Sequence, residues 1–338
     1  MTIPHFQHQQ TAHCESGVVS TLVQHHGLDF NEPWVFGLAS ALTFAYIPVV
    51  KMAGMPLIAY RMPPKSIIKN TCKQLGIRLD MQKFSHAAAG MAALDKALDE
   101  GRLVGLQTSV YWLPYFPAEM RFHFNAHNLL VYGRDGDDYL ISDPVFEQVQ
   151  RCPRQDLQRA RFAKGALAAK GLMYTVDIGS IPAADGLDYR LLVKRALSKN
   201  SRNMLAPLFF IGVRGIRTLA KKIETLPQSG KDEAYCKLYL GHIVRMQEEI
   251  GTGGAGFRYI YAYFLQQAAA KLNLPELEQA SQAMTAIGDQ WRKFASFTVR
   301  QCRKPRAEGY AEVAAQLRLI ADEEQTLWKN LKRIAASM

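Results

Sequence analysis

Residues 124–143 read FNAHNLLVYGRDGDDYLISD, and this stretch decides the fold of the first half of the chain. Residues 128–132 and 139–142 form two short runs of apolar and β-branched residues, separated by a glycine- and aspartate-rich loop at 133–138. Such a loop tolerates turn geometry, so the pattern predicts a β-hairpin. In an antiparallel hairpin, the entry of the first strand and the exit of the second are neighbours on one edge of a sheet.

Two polar residues occupy these neighbouring ends of the predicted hairpin. His127 stands at the entry of the first strand, and Asp143 follows the second. An imidazole oriented by a carboxylate is the general-base half of a nucleophilic site, so we predict His127 as the base and Asp143 as its orienting carboxylate. His123 is the rival for the base because it lies one turn-like step earlier, but the hairpin register favours His127.

The nucleophile that this pair requires is predicted far upstream, at Cys14. Apolar residues at positions 18, 19, 22 and 23 recur at helical spacing and Gly27 ends the segment, so a helix begins at or near Cys14. The unpaired amides and the positive end of the dipole in a first helical turn favour a thiolate. The alternative is a small buried cysteine without chemistry. The histidine and aspartate of the hairpin favour the nucleophile.

The order of the predicted elements indicates an α+β plan, with helices first and then consecutive strands of a largely antiparallel sheet. Helices are predicted over 31–46, 66–75 and 87–101, and strands over 77–84, 103–110 and 172–178. Residues 179–186, GSIPAADG, are typical of a linker, and nearly every segment beyond them has helical spacing. We therefore predict a first domain over residues 1–180 and an all-α domain over residues 185–338.

Several classes of protein are disfavoured by composition. No apolar run of the 338 residues is long enough to span a bilayer, and the N-terminus does not have the form of a secretory signal. Five cysteines at irregular spacing do not make a disulfide framework, and no CxxC pair supplies metal-ligand spacing. We expect a cytoplasmic protein with reduced cysteines and no metal.

Three stretches carry a resemblance to a known family. Residues 13–46 (HCESGVVSTLVQHHGLDFNEPWVFGLASALTFAY) and 126–144 (AHNLLVYGRDGDDYLISDP) resemble the N-terminal domain of the butirosin-biosynthesis H-type acyltransferases. Residues 250–269 (IGTGGAGFRYIYAYFLQQAA) resemble the helical domain often fused to it. The resemblance covers most of the chain.

The resemblance implies a papain-like cysteine fold that moves an acyl group from the thioester of an acyl carrier protein to an amine. It carries the nucleophile to Cys14, the base to His127 and the orienting carboxylate to Asp143. No cofactor is implied apart from the phosphopantetheine arm of the carrier protein. Glu15 departs from the expected small residue beside the nucleophile, since an acid there opposes thiolate formation and crowds the oxyanion site.

Further contacts to the substrate are predicted around this centre. The backbone amide of Cys14, with the side chain of Gln9 or Gln10, is expected to stabilise the oxyanion. The aromatic loop YWLPYFP at 111–117 is expected to exclude water and contact an acyl chain, chiefly through Tyr111 and Trp112. Plain packing of these aromatic residues in a core is the alternative.

Residues 251–258, GTGGAGFR, are glycine-rich before a predicted helix, which is the form of an anion cradle. One interpretation is that Arg258 and the free amides hold a phosphate, such as that of a phosphopantetheine arm. The other is a turn between two helices that needs positive φ angles. The segment lacks the Lys-Ser/Thr of a P-loop.

Charge is unevenly spread along the chain. Residues 1–150 carry 11 Lys and Arg against 13 Asp and Glu, a net charge of −2, whereas residues 151–338 carry 30 against 17, a net of +13. The run 190–222 contains nine basic residues and no acidic one. It is interpreted as a solvated face, a docking surface for an acidic carrier protein, or a peripheral contact with a membrane. Nucleic acid is disfavoured because no recognition motif accompanies the charge.

The sequence thus predicts a cysteine-dependent acyltransferase of specialised metabolite biosynthesis, acting on an acyl carrier protein and a small amine or alcohol. The rival enzyme is a papain-like hydrolase, either a thioesterase or a peptidase. The rival from another class is a scaffold that binds carrier proteins without catalysis. The acyl group, the acceptor and the oligomeric state, a homodimer included, stay open.

Overall fold

The computed structural model describes residues 2–52 and 54–338 and divides the chain into two compact units. The first unit comprises Met1–Val35 and Pro64–Leu187, and the second comprises Phe36–Pro63 and Asp188–Met338. The later boundary lies close to the predicted linker. Residues 36–63, which the sequence analysis placed in the first domain, belong to the second unit.

The helices are α1 (Cys14–His25), α2 (Glu32–Leu38), α3 (Ser66–Leu75), α4 (Ala87–Asp99), α5 (Arg154–Phe162), α6 (Tyr189–Met204), α7 (Gly212–Glu224), α8 (Glu233–Glu248), α9 (Arg258–Leu272), α10 (Pro275–Arg303) and α11 (Gly309–Ser337). The strands are β1 (Leu42–Met52), β2 (Met55–Arg61), β3 (Leu79–Gln82), β4 (Val104–Thr108), β5 (His127–Asp135), β6 (Asp138–Ser142), β7 (Gln150–Pro153) and β8 (Met173–Val176).

The first unit is built on a six-stranded sheet of order β3-β8-β4-β5-β6-β7, in which every neighbouring pair is antiparallel. The predicted hairpin is β5 and β6. Helix α1 packs on β5, and helices α4 and α5 cover a core that the strands supply with Leu106, Leu129 and Ile141. The predicted α+β class is therefore confirmed, with the Cys14 helix lying against an antiparallel sheet.

The second unit combines helices α6–α11 with the hairpin β1–β2. Its core includes Trp291 of α10 and Trp328 of α11, both without exposed surface. The helical second half is confirmed. None of the helices in the part of the chain that the structure describes is long and apolar enough to cross a membrane.

One predicted element is wrong. The helix expected over 31–46 ends at Leu38, and β1 begins at Leu42. Thr43, Ile47 and the two valines after Pro48 are β-branched and favour extended backbone, and the pairing of β1 with β2 outweighs the helical spacing of the preceding residues.

Candidate active site

The start of α1 is held by a network of hydrogen bonds around Cys14, the first residue of the helix. The preceding residue, His13, is the N-cap, and its Nδ1 accepts the backbone N–H of Ser16 at 3.3 Å. The buried carboxylate of Glu32 accepts from the backbone amides of Ala12 (2.9 Å) and His13 (2.8 Å) and from the hydroxyl of Ser16 (2.9 Å). The chain that leads into the half-buried Cys14 is thereby fixed on both sides.

Asp143 is buried beside the imidazole of His127. His127 is only 4% exposed and Asp143 has no exposed surface, and the His127 Nε2–Asp143 Oδ2 distance is 2.7 Å. The Tyr115 hydroxyl donates to the same carboxylate oxygen at 2.9 Å, and the Val145 amide donates to the other at 3.1 Å. Both oxygens of Asp143 therefore have hydrogen-bond donors, which compensates the burial of its charge.

The other nitrogen of the imidazole, Nδ1, is left for the thiol, because Nε2 is occupied by Asp143. A hydrogen bond joins the side chains of His127 and Cys14. Burial opposes the charged imidazolium, but the charge and hydrogen bond of Asp143, together with the thiol of Cys14, outweigh it and raise the pKa of His127 to about 10. A protonated imidazole beside a sulfur at a helix start favours the thiolate form of the cysteine.

The structure thus brings the predicted Cys14, His127 and Asp143 together in one hydrogen-bonded chain. The rival base, His123, lies on the surface and stacks on the ring of Tyr111, with ring centroids 4.1 Å apart. Sequence reasoning missed the contacts that Tyr115 and Glu32 make. Tyr115 gave no signal beyond its place in an aromatic loop, and Glu32 gave none.

The carboxylate of Glu15, beside the nucleophile in sequence, makes a contact at the start of another helix. It is fully buried and accepts the backbone N–H of Ile67 at 2.9 Å, in the first turn of α3. A carboxylate at a helix N-terminus is favoured by the free amides and the dipole there. The acid beside the nucleophile therefore joins α1 to α3.

The other predicted contacts are divided between surface and core. Gln10 is exposed, and its side-chain amide donates to the carbonyl of Val145 at 3.2 Å; Gln9 is half-buried and has no hydrogen-bond partner among the described residues. Their role at an oxyanion stays a prediction. Tyr111 and Trp112 are 40% and 37% exposed, and their contact with an acyl chain stays a prediction.

Phe116, from the same aromatic loop, is buried with its ring edge-on to the imidazole of His127, 5.4 Å between centroids. It shields the imidazole from water.

Arg258 contradicts its predicted role. The residue has no exposed surface, and its guanidinium donates to Glu324 Oε1 at 2.9 Å and to the carbonyl of Gly256 at 2.7 Å. It also lies over the ring of Trp291, 4.9 Å from the centroid. A buried, paired cation is not placed to meet a phosphate. The alternative interpretation holds, since all four glycines of 251–256 have positive φ angles.

Comparisons with known proteins agree with the resemblance of the sequence. Residues 13–144 match the family model described as butirosin biosynthesis protein H, N-terminal, and residues 155–331 match the domain of unknown function DUF4872. A search of curated proteins found no match. Among solved structures, the chain is similar to one described as a C39-like peptidase from Bacillus anthracis, with 13% identity and a TM-score of 0.38 over 52% of this chain and 96% of that chain.

Proposed function

We propose, from the premise that this chain belongs to the butirosin biosynthesis protein H family, that it is a cysteine-dependent acyltransferase. It takes an acyl group from the thioester of an acyl carrier protein and passes it to a small amine through an acyl-Cys14 intermediate. The observation that carries this proposal is the buried chain from Asp143 through His127 to a half-buried thiol at the start of a helix.

The first half of the reaction forms the acyl-enzyme. His127 Nδ1 holds the proton of Cys14, and the thiolate attacks the thioester carbonyl. The backbone amide of Cys14, at the open end of α1, donates to the oxyanion; loss of one such donor typically costs about 10²–10³ in rate. The imidazolium returns its proton to the sulfur of the departing arm, which leaves as a thiol, and Asp143 keeps the ring oriented throughout.

The second half releases the product. The acceptor amine attacks the acyl-Cys14 carbonyl and gives its proton to His127, and the thiolate of Cys14 departs. Exchange between two thioesters is nearly neutral in energy, whereas amide formation from a thioester is downhill, so a cysteine is a suitable relay between the two. Phe116 supports transfer over hydrolysis because its edge-on ring makes the surroundings of the imidazole apolar, which favours exclusion of water.

The test uses the full chain and an acetylated holo acyl carrier protein, with and without ethanolamine, which offers both a nitrogen and an oxygen. The proposal predicts an intact-mass shift of one acetyl group on Cys14 and N-acetylethanolamine when the amine is present. Cys14→Ala forms no adduct, whereas Cys302→Ala, which changes another half-buried cysteine, forms it normally. Free acetate at the same rate with and without ethanolamine indicates a hydrolase, and the absence of any adduct in the wild type indicates a scaffold; either result overturns the proposal.

A further inference from the structure

His127 lies at the same end of the strands as two loops that carry lysines. Strand β5 begins at His127 opposite the last residue of β4, Thr108, and β8 begins at Met173 opposite Leu106 of β4 and opposite Gln82, the last residue of β3. The loop after β3 and the loop before β8 therefore leave the sheet on the side from which His127 enters it. The amide of Phe84 donates to the carbonyl of Lys170 at 3.1 Å and joins the two loops.

These loops form a cavity of about 610 Å³ whose lining includes three lysines. Lys83 comes from the first loop, and Lys164 and Lys170 come from the second, with the hydroxyl residue Ser85 beside them. All three lysines are exposed, and none forms an ion pair with a described residue. Uncompensated cations around a concave surface attract anions.

Two more lysines at the start of α3 belong to the same cluster. Burial lowers the pKa of Lys65, and the positive charges of Lys83, Lys69 and Lys170 lower it further, while Glu15 acts in the opposite direction. Charges influence each other in this way only at short range. We name the five residues, Lys65, Lys69, Lys83, Lys164 and Lys170, the lysine groove.

Hydrogen bonds join the segments of the lysine groove to residues that neighbour His127 and Cys14 in sequence. On one side, the side chain of Asn125, two residues before His127, donates to the carbonyls of Lys164 (3.3 Å) and Ala166 (2.8 Å). On the other side, Glu15, the residue after Cys14, accepts from the first turn of α3, which follows Lys65. The groove is therefore connected through Asn125 to the start of β5, where His127 lies, and through Glu15 to the start of α1, where Cys14 lies.

We propose that the lysine groove binds the phosphate of the pantetheine arm, and the acidic surface of the carrier protein around it, while the thioester lies at Cys14. This inference rests on the proposed function and assigns a binding site to its acyl donor. Lysine binds phosphate as a point charge, and several unpaired lysines in one concave surface match a dianion on a flexible tether. The groove belongs to the same unit as Cys14, whereas the basic run 190–222 belongs to the other unit.

The test compares two donors that differ only in the phosphate, acetyl-pantetheine 4′-phosphate and acetyl-pantetheine, by the rate at which each acetylates Cys14. At low salt the wild type prefers the phosphorylated donor by about tenfold, since each exposed charge contributes a modest attraction. In Lys83→Gln/Lys164→Gln/Lys170→Gln the ratio of the two rates falls close to one. Because both donors are compared on the same variant, a loss of folded protein cancels from the ratio.

A matched variant removes three lysines from the basic run of the second unit, Lys194→Gln/Lys221→Gln/Lys222→Gln, and keeps the wild-type ratio. The inference is overturned if the groove variant also keeps that ratio, or if the matched variant loses it. If neither donor acetylates wild-type Cys14, the proposed function itself fails and the inference falls with it.

The choice of partner has its own measurement. Acetylated holo carrier protein is expected to react faster than acetyl-coenzyme A, and its rate is expected to fall with added salt in the wild type and much less in the groove variant. A faster reaction with acetyl-coenzyme A would overturn the carrier protein as the occupant.

Discussion

Two buried ion pairs, one in each unit, show what separates a reactive pair from a structural one. His127 with Asp143 and Arg258 with Glu324 each place a cation against a carboxylate out of contact with solvent. The indole N–H groups of Trp291 (2.8 Å) and Trp328 (3.1 Å) also donate hydrogen bonds to the carboxylate of Glu324. Among the described residues, Arg258 and Glu324 bond to each other, to these two indoles and to the carbonyl of Gly256, all of which lie in the core.

The hydrogen bonds of the pair in the first unit continue to a third group. Asp143 is satisfied by donors, but the imidazole passes on to Cys14, a titratable sulfur that is half-buried. In both pairs, removal of one partner leaves a buried charge without compensation and destabilises the fold. Chemistry requires in addition that the chain of hydrogen bonds ends at a group able to react and to be reached.

The largest expected effect breaks the structural pair. Arg258→Met leaves the carboxylate of Glu324 buried without its cation, and we expect the free energy of unfolding in urea to fall by about 3–5 kcal/mol. The rate at which iodoacetamide alkylates Cys14 in the folded protein should stay at its wild-type value.

Two variants sharpen that result. Arg303→Met, on the exposed surface, should change the free energy of unfolding by less than about 0.5 kcal/mol. Arg258→Met/Glu324→Gln should recover much of the loss, because it buries no net charge and keeps an acceptor for an indole. Slower alkylation of Cys14 by iodoacetamide in folded Arg258→Met would show that the two pairs are not independent.

A smaller effect is expected where Tyr115 supports the reactive pair. Tyr115→Phe removes one donor from the buried carboxylate of Asp143, a bond worth about 1.5–3 kcal/mol when one partner is charged. Because the carboxylate that holds the His127 imidazolium loses a donor, the acidic limb of the rate of Cys14 acylation should move to higher pH.

Tyr111→Phe is the control for this change, since the Tyr111 ring lies on the surface against His123. It should leave the pH profile in place. An identical profile for Tyr115→Phe would assign Tyr115 a packing role only.

The parts of the fold that sequence predicted correctly depend on local patterns. The hairpin of β5 and β6 and the start of α1 at Cys14 are set by turn residues and helical spacing within about twenty positions. The helix expected over 31–46 failed because β1 is defined by its partner β2, which no helical spacing in 31–46 reveals. The predicted phosphate-binding role of Arg258 was wrong for the same reason, since its partner Glu324 lies 66 positions away in the sequence.

The lysine groove shows a related limit. Its members are spread from Lys65 to Lys170, and the first 150 residues carry a net charge of −2, so counting charges along the chain hides the cluster. The basic run at 190–222 is visible in the sequence, because its nine positive charges lie within one short segment. Only the pairing of strands β3, β8 and β4 brings the loop lysines to the edge that holds His127.

The account depends on a sulfur activated by His127, and the pH dependence of Cys14 alkylation by iodoacetamide, followed by peptide mapping, tests it most directly. The folded protein keeps the His127 proton until the pH approaches about 10, so wild-type Cys14 should stay reactive down to about pH 6. In His127→Ala the sulfur should titrate near its ordinary value of about 8.5 and react roughly 10²-fold more slowly at pH 6. The same profile in both proteins would contradict the account, because it would show that Cys14 and His127 do not act as a pair.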